Sequence, residues 1–164
     1  MAFSIGFPHY SFPAYPVDPD ALVDLLDALW AACDASPDLE AAFGRAGWLW
    51  RDEAPAGAAM PFAVCMEVGR GEPELSLKDG DQREVPVQLS VYGTKAQAIA
   101  LGGALESFLL PRIGYTKLAW TGEHEMTRWP GAGNMVEKDP DRGPDGQDVW
   151  VRRINVTFRV AKAY

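Results

Sequence analysis

Apolar positions along this chain follow two rhythms. In residues 18–32, "DPDALVDLLDALWAA", Leu22, Leu25, Leu26 and Leu29 recur at spacings of three and four, flanked by Val23 and Trp30. That period predicts an amphipathic helix, with Asp18 as N-cap, Pro19 at the first helical position and Asp20 in the first turn. Pro37 precedes a second, short helical segment, "DLEAAF", ending near Gly44.

Farther on the rhythm shortens. Trp48 to Trp50 reads as a short strand, residues 53–61 as a Pro/Gly/Ala loop, and residues 62–69, "FAVCMEVG", as a strand covered fully on one face and partly on the other. A polar connection follows. In it "ELSL" (74–77) extends the sheet, and Asp79–Gly80 is a turn signal that would pair it with the next strand as a hairpin. In residues 85–92, Val85, Val87, Leu89 and Val91 share one side, with Gln88, Ser90 and Tyr92 on the other. Gly93 breaks this strand, and Thr94 caps a helix whose core face is Ala98, Leu101, Leu105, Phe108 and Leu109. Gly102 and Gly103 lie inside that helix, where each costs roughly 1 kcal/mol against alanine. Such a pair implies close packing against the sheet or another subunit.

After Pro111, residues 115–129 read as one bent strand and residues 147–164 as a stronger one. In the latter the apolar positions switch phase between Val151 and Ile154, across Arg152–Arg153, which suggests a bulge or a twist. Residues 130–148 hold no apolar run and read as a long exposed loop, ordered in a complex. The order of helix, strands, helix, strands predicts an α+β domain. It comprises a mostly antiparallel or mixed sheet of four to five strands with two main helices on one face. Residues 18–164 form this single domain, preceded by an aromatic, proline-rich arm at 1–17.

Composition changes the picture little: 48% of the 164 residues are hydrophobic and 23% charged, as in ordinary globular domains. No run of 18 apolar residues predicts a membrane span, and the N-terminus has no basic region of a signal peptide. The net charge of −8 is uneven. Residues 1–82 carry 4 basic and 14 acidic side chains, and residues 83–164 carry 11 and 9, so the halves stand at −10 and +2. That distribution disfavours a general nucleic-acid binder and suits an oriented contact between proteins.

Candidate chemistry is sparse. Cys33 and Cys65 read as buried, reduced thiols. His9 lies in the arm; His124, in "GEHEM", reads as a strand-surface histidine and lacks the second histidine of a zincin helix. Asp139, Asp141, Asp145 and Asp148 imitate a calcium loop, but the glycine comes one place early and Trp150 stands where glutamate is required. The glycines of "GRGEPE" form no phosphate cradle. Arg152, Arg153 and Arg159 make a basic stripe that fits solubility or an acidic protein partner better than DNA. No catalytic residue, cofactor site or metal site is expected.

The order of segments carries more than any motif. Pro61 to Val64 leads into Gly71 to Pro73. Val87 to Tyr92 then enters the alanine-rich stretch Ala96 to Leu109, and Arg153 to Val160 closes the chain. Over roughly residues 20–162 this resembles the tail-completion or tail-terminator family of long-tailed bacteriophages and prophages. The arm and the loop at 130–148 depart from that family's compact pattern. The resemblance implies a non-enzymatic subunit of the virion that closes into a ring, typically a hexamer, at the head-proximal end of the tail tube. Its partners would be its own copies, the tail tube protein and the head connector, with DNA passing through the channel unread and no membrane involved. Candidate interface residues are Tyr92, Lys95 and Gln97 at the strand-to-helix corner, and Arg152, Arg153 and Arg159 on the last strand. Two other classes stand beside this reading: a protein-binding module, and a small hydrolase built on His124 or Cys65.

Overall fold

A computed structural model describes residues 24–68, 82–120, 123–128, 135–140 and 147–161. The elements run α1 (Leu25–Asp34), α2 (Pro37–Phe43), β1 (Leu49–Arg51), β2 (Phe62–Glu67), β3 (Gln82–Gly93), α3 (Lys95–Leu109), β4 (Glu123–Arg128), β5 (Val136–Asp139) and β6 (Val149–Ala161). The arm at 1–17, the expected cap Asp18, the "ELSL" segment and the Asp79–Gly80 turn lie outside the described residues.

The first helix starts later than its leucine period suggests. Asp24 is its N-cap, accepting from the backbone N–H groups of Leu26 and Asp27 with extended dihedrals. A carboxylate there satisfies two of the donors that a helix start leaves open. The second helix is capped by Ser36, carries Pro37 in its first turn and ends on Gly44 at φ 75°, a left-handed conformation that glycine adopts without a Cβ clash.

All six strands form one sheet in the order β1-β2-β3-β6-β4, with β5 also paired to β6. β1 and β2 are parallel, and every other pairing is antiparallel. β6 is the hub. It pairs with β3 in unbroken register from Gln82↔Ala161 to Gly93↔Trp150, while β4 and β5 share its other side. Pro86 lies inside β3 opposite Val68, just past the end of β2. Its carbonyl accepts from Val68 N–H, and its missing N–H forgoes only the return bond of that last pair.

Of the two expected causes of the phase switch, a bulge or a twist, the unbroken register excludes the bulge. The apolar phase of β6 switches because the strand buries apolar side chains on one face in its first part and on the other face in its second. Ile154, Val156 and Phe158 pack with Val87, Leu89 and the helices in the main core. Val149 and Val151 point to the opposite face, where Phe62, Val64 and Ala54 form a smaller cluster with Trp50, Met60 and Tyr92 against it. Two other expectations are corrected. Residues 115–129 are not one strand: among the described residues 115–119 are irregular, Trp120 makes an isolated bridge and Glu123–Arg128 forms β4. Residues 130–148 are not all loop, because Val136–Asp139 adds to β6. A four-residue strand held mainly by backbone pairing leaves too little side-chain alternation to be read in advance.

α3 follows its prediction closely. Thr94 and Gln97 form a reciprocal capping box, and Leu101, Leu105 and Leu109 enter the main core. Gly102 is the close approach: a Cβ there would lie 2.4 Å from Arg152 Cδ. The helix therefore lies directly on the side chain of the sheet residue beneath it. Among the described residues, no helix is long and apolar enough to cross a membrane.

Candidate interaction surface

The six candidate residues fall into three environments. At the strand-to-helix corner, Tyr92 points to the sheet face opposite the described helices and stacks on Phe62 at 4.9 Å between ring centroids. Lys95 is exposed at the start of α3, its ammonium 4.8 Å from the centre of the Trp150 ring. Gln97 is engaged locally, its side-chain oxygen accepting from Thr94 N–H at 2.9 Å. A Thr-x-x-Gln spacing is the sequence signal for that role.

On β6, neighbouring arginines part company. Arg152 points under α3, with a side chain 12% exposed. Its guanidinium donates to the Ile99 carbonyl at 2.7 Å and to Glu106 Oε2 at 2.8 Å. The other Glu106 oxygen accepts from Arg128 at 2.7 Å. Glu106 thus joins α3 to β6 and β4, and Arg152 serves the subunit's own architecture. Sequence reasoning missed Glu106, although its position four residues after Gly102 places a charge on the buried stripe of α3. Arg153 and Arg159 lie on the open face, paired with Glu137 and with Glu84, the latter at 3.2 Å. Between them Gln88 donates across the ladder to Asn155 at 2.9 Å. This face is a lattice of paired polar groups beside the small apolar cluster.

That cluster borders a cleft of about 570 Å³, lined by the 53–60 loop, Phe62 and Val149. Arg45 holds the loop, donating to the carbonyls of Ala59 and, at 3.3 Å, Pro61. The cleft was hidden in the sequence, since a Pro/Gly/Ala loop becomes concave only by its placement over the sheet.

The titratable groups outside this surface do not assemble a reactive centre among the described residues. Cys33 and Cys65 are free and buried. Burial is the main cause that raises both thiols, Cys65 to about 11 and Cys33 further, so neither is poised as a thiolate. His124 is not a surface histidine. Its ring packs against Tyr115, Trp120 and Phe158, and its Nε2 accepts from Leu118 N–H at 3.2 Å. Burial lowers its pKa and Lys117 adds to that effect, with a Thr116 backbone hydrogen bond opposing. It lies away from the cleft, whose lining does not include it. Asp148 of the imitation calcium loop pairs with Lys138 at 2.5 Å, and Asp141 and Asp145 lie outside the described residues. No group of three metal-ligating side chains occurs among the described residues.

The fold has a solved counterpart. A chain of the virion of a native gene transfer agent particle matches with a TM-score of 0.50 and 18% identity, over 84% of this chain and 94% of that one. At that identity the likeness is one of fold. No curated protein matches the sequence. The family model described as tail completion protein gp17 matches residues 27–112, from α1 through α3 and into the loop beyond. That span exceeds half of the chain and contains the strand–helix unit on which the resemblance was first drawn. The chain therefore belongs to the tail completion protein gp17 family, a family of phage tail-associated structural proteins.

Proposed function

We propose that this protein is a non-enzymatic subunit of a homo-oligomeric ring, a hexamer, that ends the tail tube at its head-proximal side and joins it to the head connector. The observation that carries the reading is the family match over residues 27–112. Physical arguments support it. A closed ring is built from heterologous contacts, so each subunit needs two unlike surfaces. Here, among the described residues, the helices lie on one face of the sheet and the other carries a cleft and paired surface charges, and the charge of the two sequence halves differs in sign. The arginines of the open face sit beside carboxylates, which limits the positive charge offered to passing DNA. Tyr92, Lys95, Gln97, Arg153 and Arg159 are the candidate contacts for neighbouring copies, the tail tube protein and the connector; Arg152 acts within the subunit.

The test is absolute mass by light scattering after size exclusion, over a concentration series at two salt levels, together with capping of isolated tail tubes. A species near six times 17.9 kDa, or a tube end closed by this protein, is the expected result. A chain that stays monomeric and leaves tubes uncapped sinks the reading and favours a protein-binding module.

A further inference from the structure

Ile113 is 89% exposed, the most exposed of the large hydrophobic side chains among the described residues. It projects from the Pro111–Gly114 turn, where Gly114 takes φ 83° to reverse the chain. The turn is fixed from below. Thr116 N–H donates to the Leu109 carbonyl at 2.9 Å, its hydroxyl donates to the Phe108 carbonyl, and Tyr115 Oη donates to the His124 carbonyl at 2.8 Å. A held apolar knob loses little freedom when it is covered.

The cleft on the face opposite the helices is its counterpart in chemistry. Its wall includes Ala54, Ala58, Met60, Phe62 and Val149, with exposed Glu53 at the rim. Exposed Arg112 stands next to Ile113. Knob and cleft thus carry the same pairing in opposite sense, apolar beside basic against apolar beside acidic.

Within one copy they cannot meet. The cleft borders Phe62, which pairs with Tyr92 near the end of β3 where α3 begins. The knob follows the other end of α3, a helix of 15 residues and so roughly 22 Å long. The helix also lies on the opposite face of the sheet from the cleft. Two unlike patches at opposite ends and faces are the elements of a head-to-tail contact. We infer that Ile113 of one copy seats in the cleft lined by Ala58, Met60 and Phe62 of the next, with Arg112 facing Glu53 across the rim. This contact rests on the ring reading above and names the surfaces that would close it.

Four variants test it in the full chain, read by light scattering with circular dichroism as the check of folding. Ile113→Glu, and independently Ala58→Trp, which fills the cleft from within, should each drop the mass from the oligomer to 17.9 kDa. Arg112→Glu and Glu53→Arg should each shift the association midpoint to at least about tenfold higher concentration, and the two together should restore it. Because Cys33 and Cys65 are buried, a pair of introduced thiols, Ile113→Cys with Ala58→Cys, should cross-link into a ladder with a short bismaleimide. If the wild-type chain is monomeric in solution but caps tail tubes, the same cross-linking is done on capped tubes, and absence of a ladder overturns the contact. An oligomer whose mass is unchanged by Ile113→Glu overturns the contact and leaves the ring standing. A wild-type chain that neither associates nor caps overturns both.

Discussion

Arg152 and Arg153 are neighbours in sequence and opposites in circumstance. Arg152, 12% exposed, lies between β6 and α3 with Glu106 as its partner. Arg153, 40% exposed, lies on the open face beside Glu137. Only the alternation of a strand separates them. The charge beneath the helix fixes where α3 rests, because Gly102 leaves room for that one side chain and Glu106 and Ile99 bind its head group. Arg153 pairs instead with Glu137 of β5, and both side chains stay exposed to water. On the function proposed above, the helix-covered face serves internal order and the other face serves contact, with the division running through one dipeptide.

The largest expected effect comes from breaking the covered side. Glu106→Ala would leave the Arg152 guanidinium buried without its carboxylate, a loss of roughly 3–5 kcal/mol for a broken buried pair. Urea unfolding should show this as a lower midpoint with an unchanged slope. A loss below about 1 kcal/mol would mean that Arg152 swings out to water and that the covered face is not specified by charge. The adjacent glycines sharpen the point. Gly102→Ala puts a methyl 2.4 Å from the middle of a side chain whose end is held, so it should cost about 1–3 kcal/mol despite alanine's helical preference. Gly103→Ala meets only Arg152 Nη1 at 3.5 Å, an ordinary contact, and should stabilise by up to about 1 kcal/mol.

How much of this was legible in the sequence depends on range. The unit from Val85 to Leu109 was read well, because strand alternation, a breaking glycine and a capping threonine are all local signals. The start of the first helix at Asp24 was not legible, because Asp18, Pro19 and Asp20 make a local capping signal and no local rule says where a helix is needed. The role of Glu106 is non-local: a carboxylate on a buried stripe announces a partner but not Arg152 and Arg128, which arrive from β6 and β4. The switch of phase at Arg152–Arg153 reads locally as a bulge or a twist; in the unbroken ladder it marks valines buried on the face where β1, β2 and the 53–60 loop, distant in sequence, place a second apolar cluster. The cleft was illegible for the same reason.

His124 gives a smaller effect on the covered side. Burial holds its pKa below 6.5 in the folded chain, so between the two pKa values the unfolded chain binds more protons. Its contribution is complete above about pH 6.5 and declines as pH falls through that window toward the folded value. His124→Gln should flatten the difference in stability between pH 7 and pH 5 relative to wild type, as measured by urea unfolding at each pH. An unchanged slope would assign the acid sensitivity to other groups.

Arg153→Ala is the smallest expected effect and the most telling for the comparison. Its partner Glu137 is 39% exposed, so water replaces the lost contact and the cost should stay within about 1 kcal/mol. If the proposed ring forms, association should respond where stability does not: its midpoint should shift in concentration while the unfolding midpoint stays within error. If Arg153→Ala instead destabilises the isolated chain as much as Glu106→Ala, the open face is also holding the fold together. The two arginines would then differ in exposure but not in purpose, and the open face would lose its claim as the surface kept for other chains.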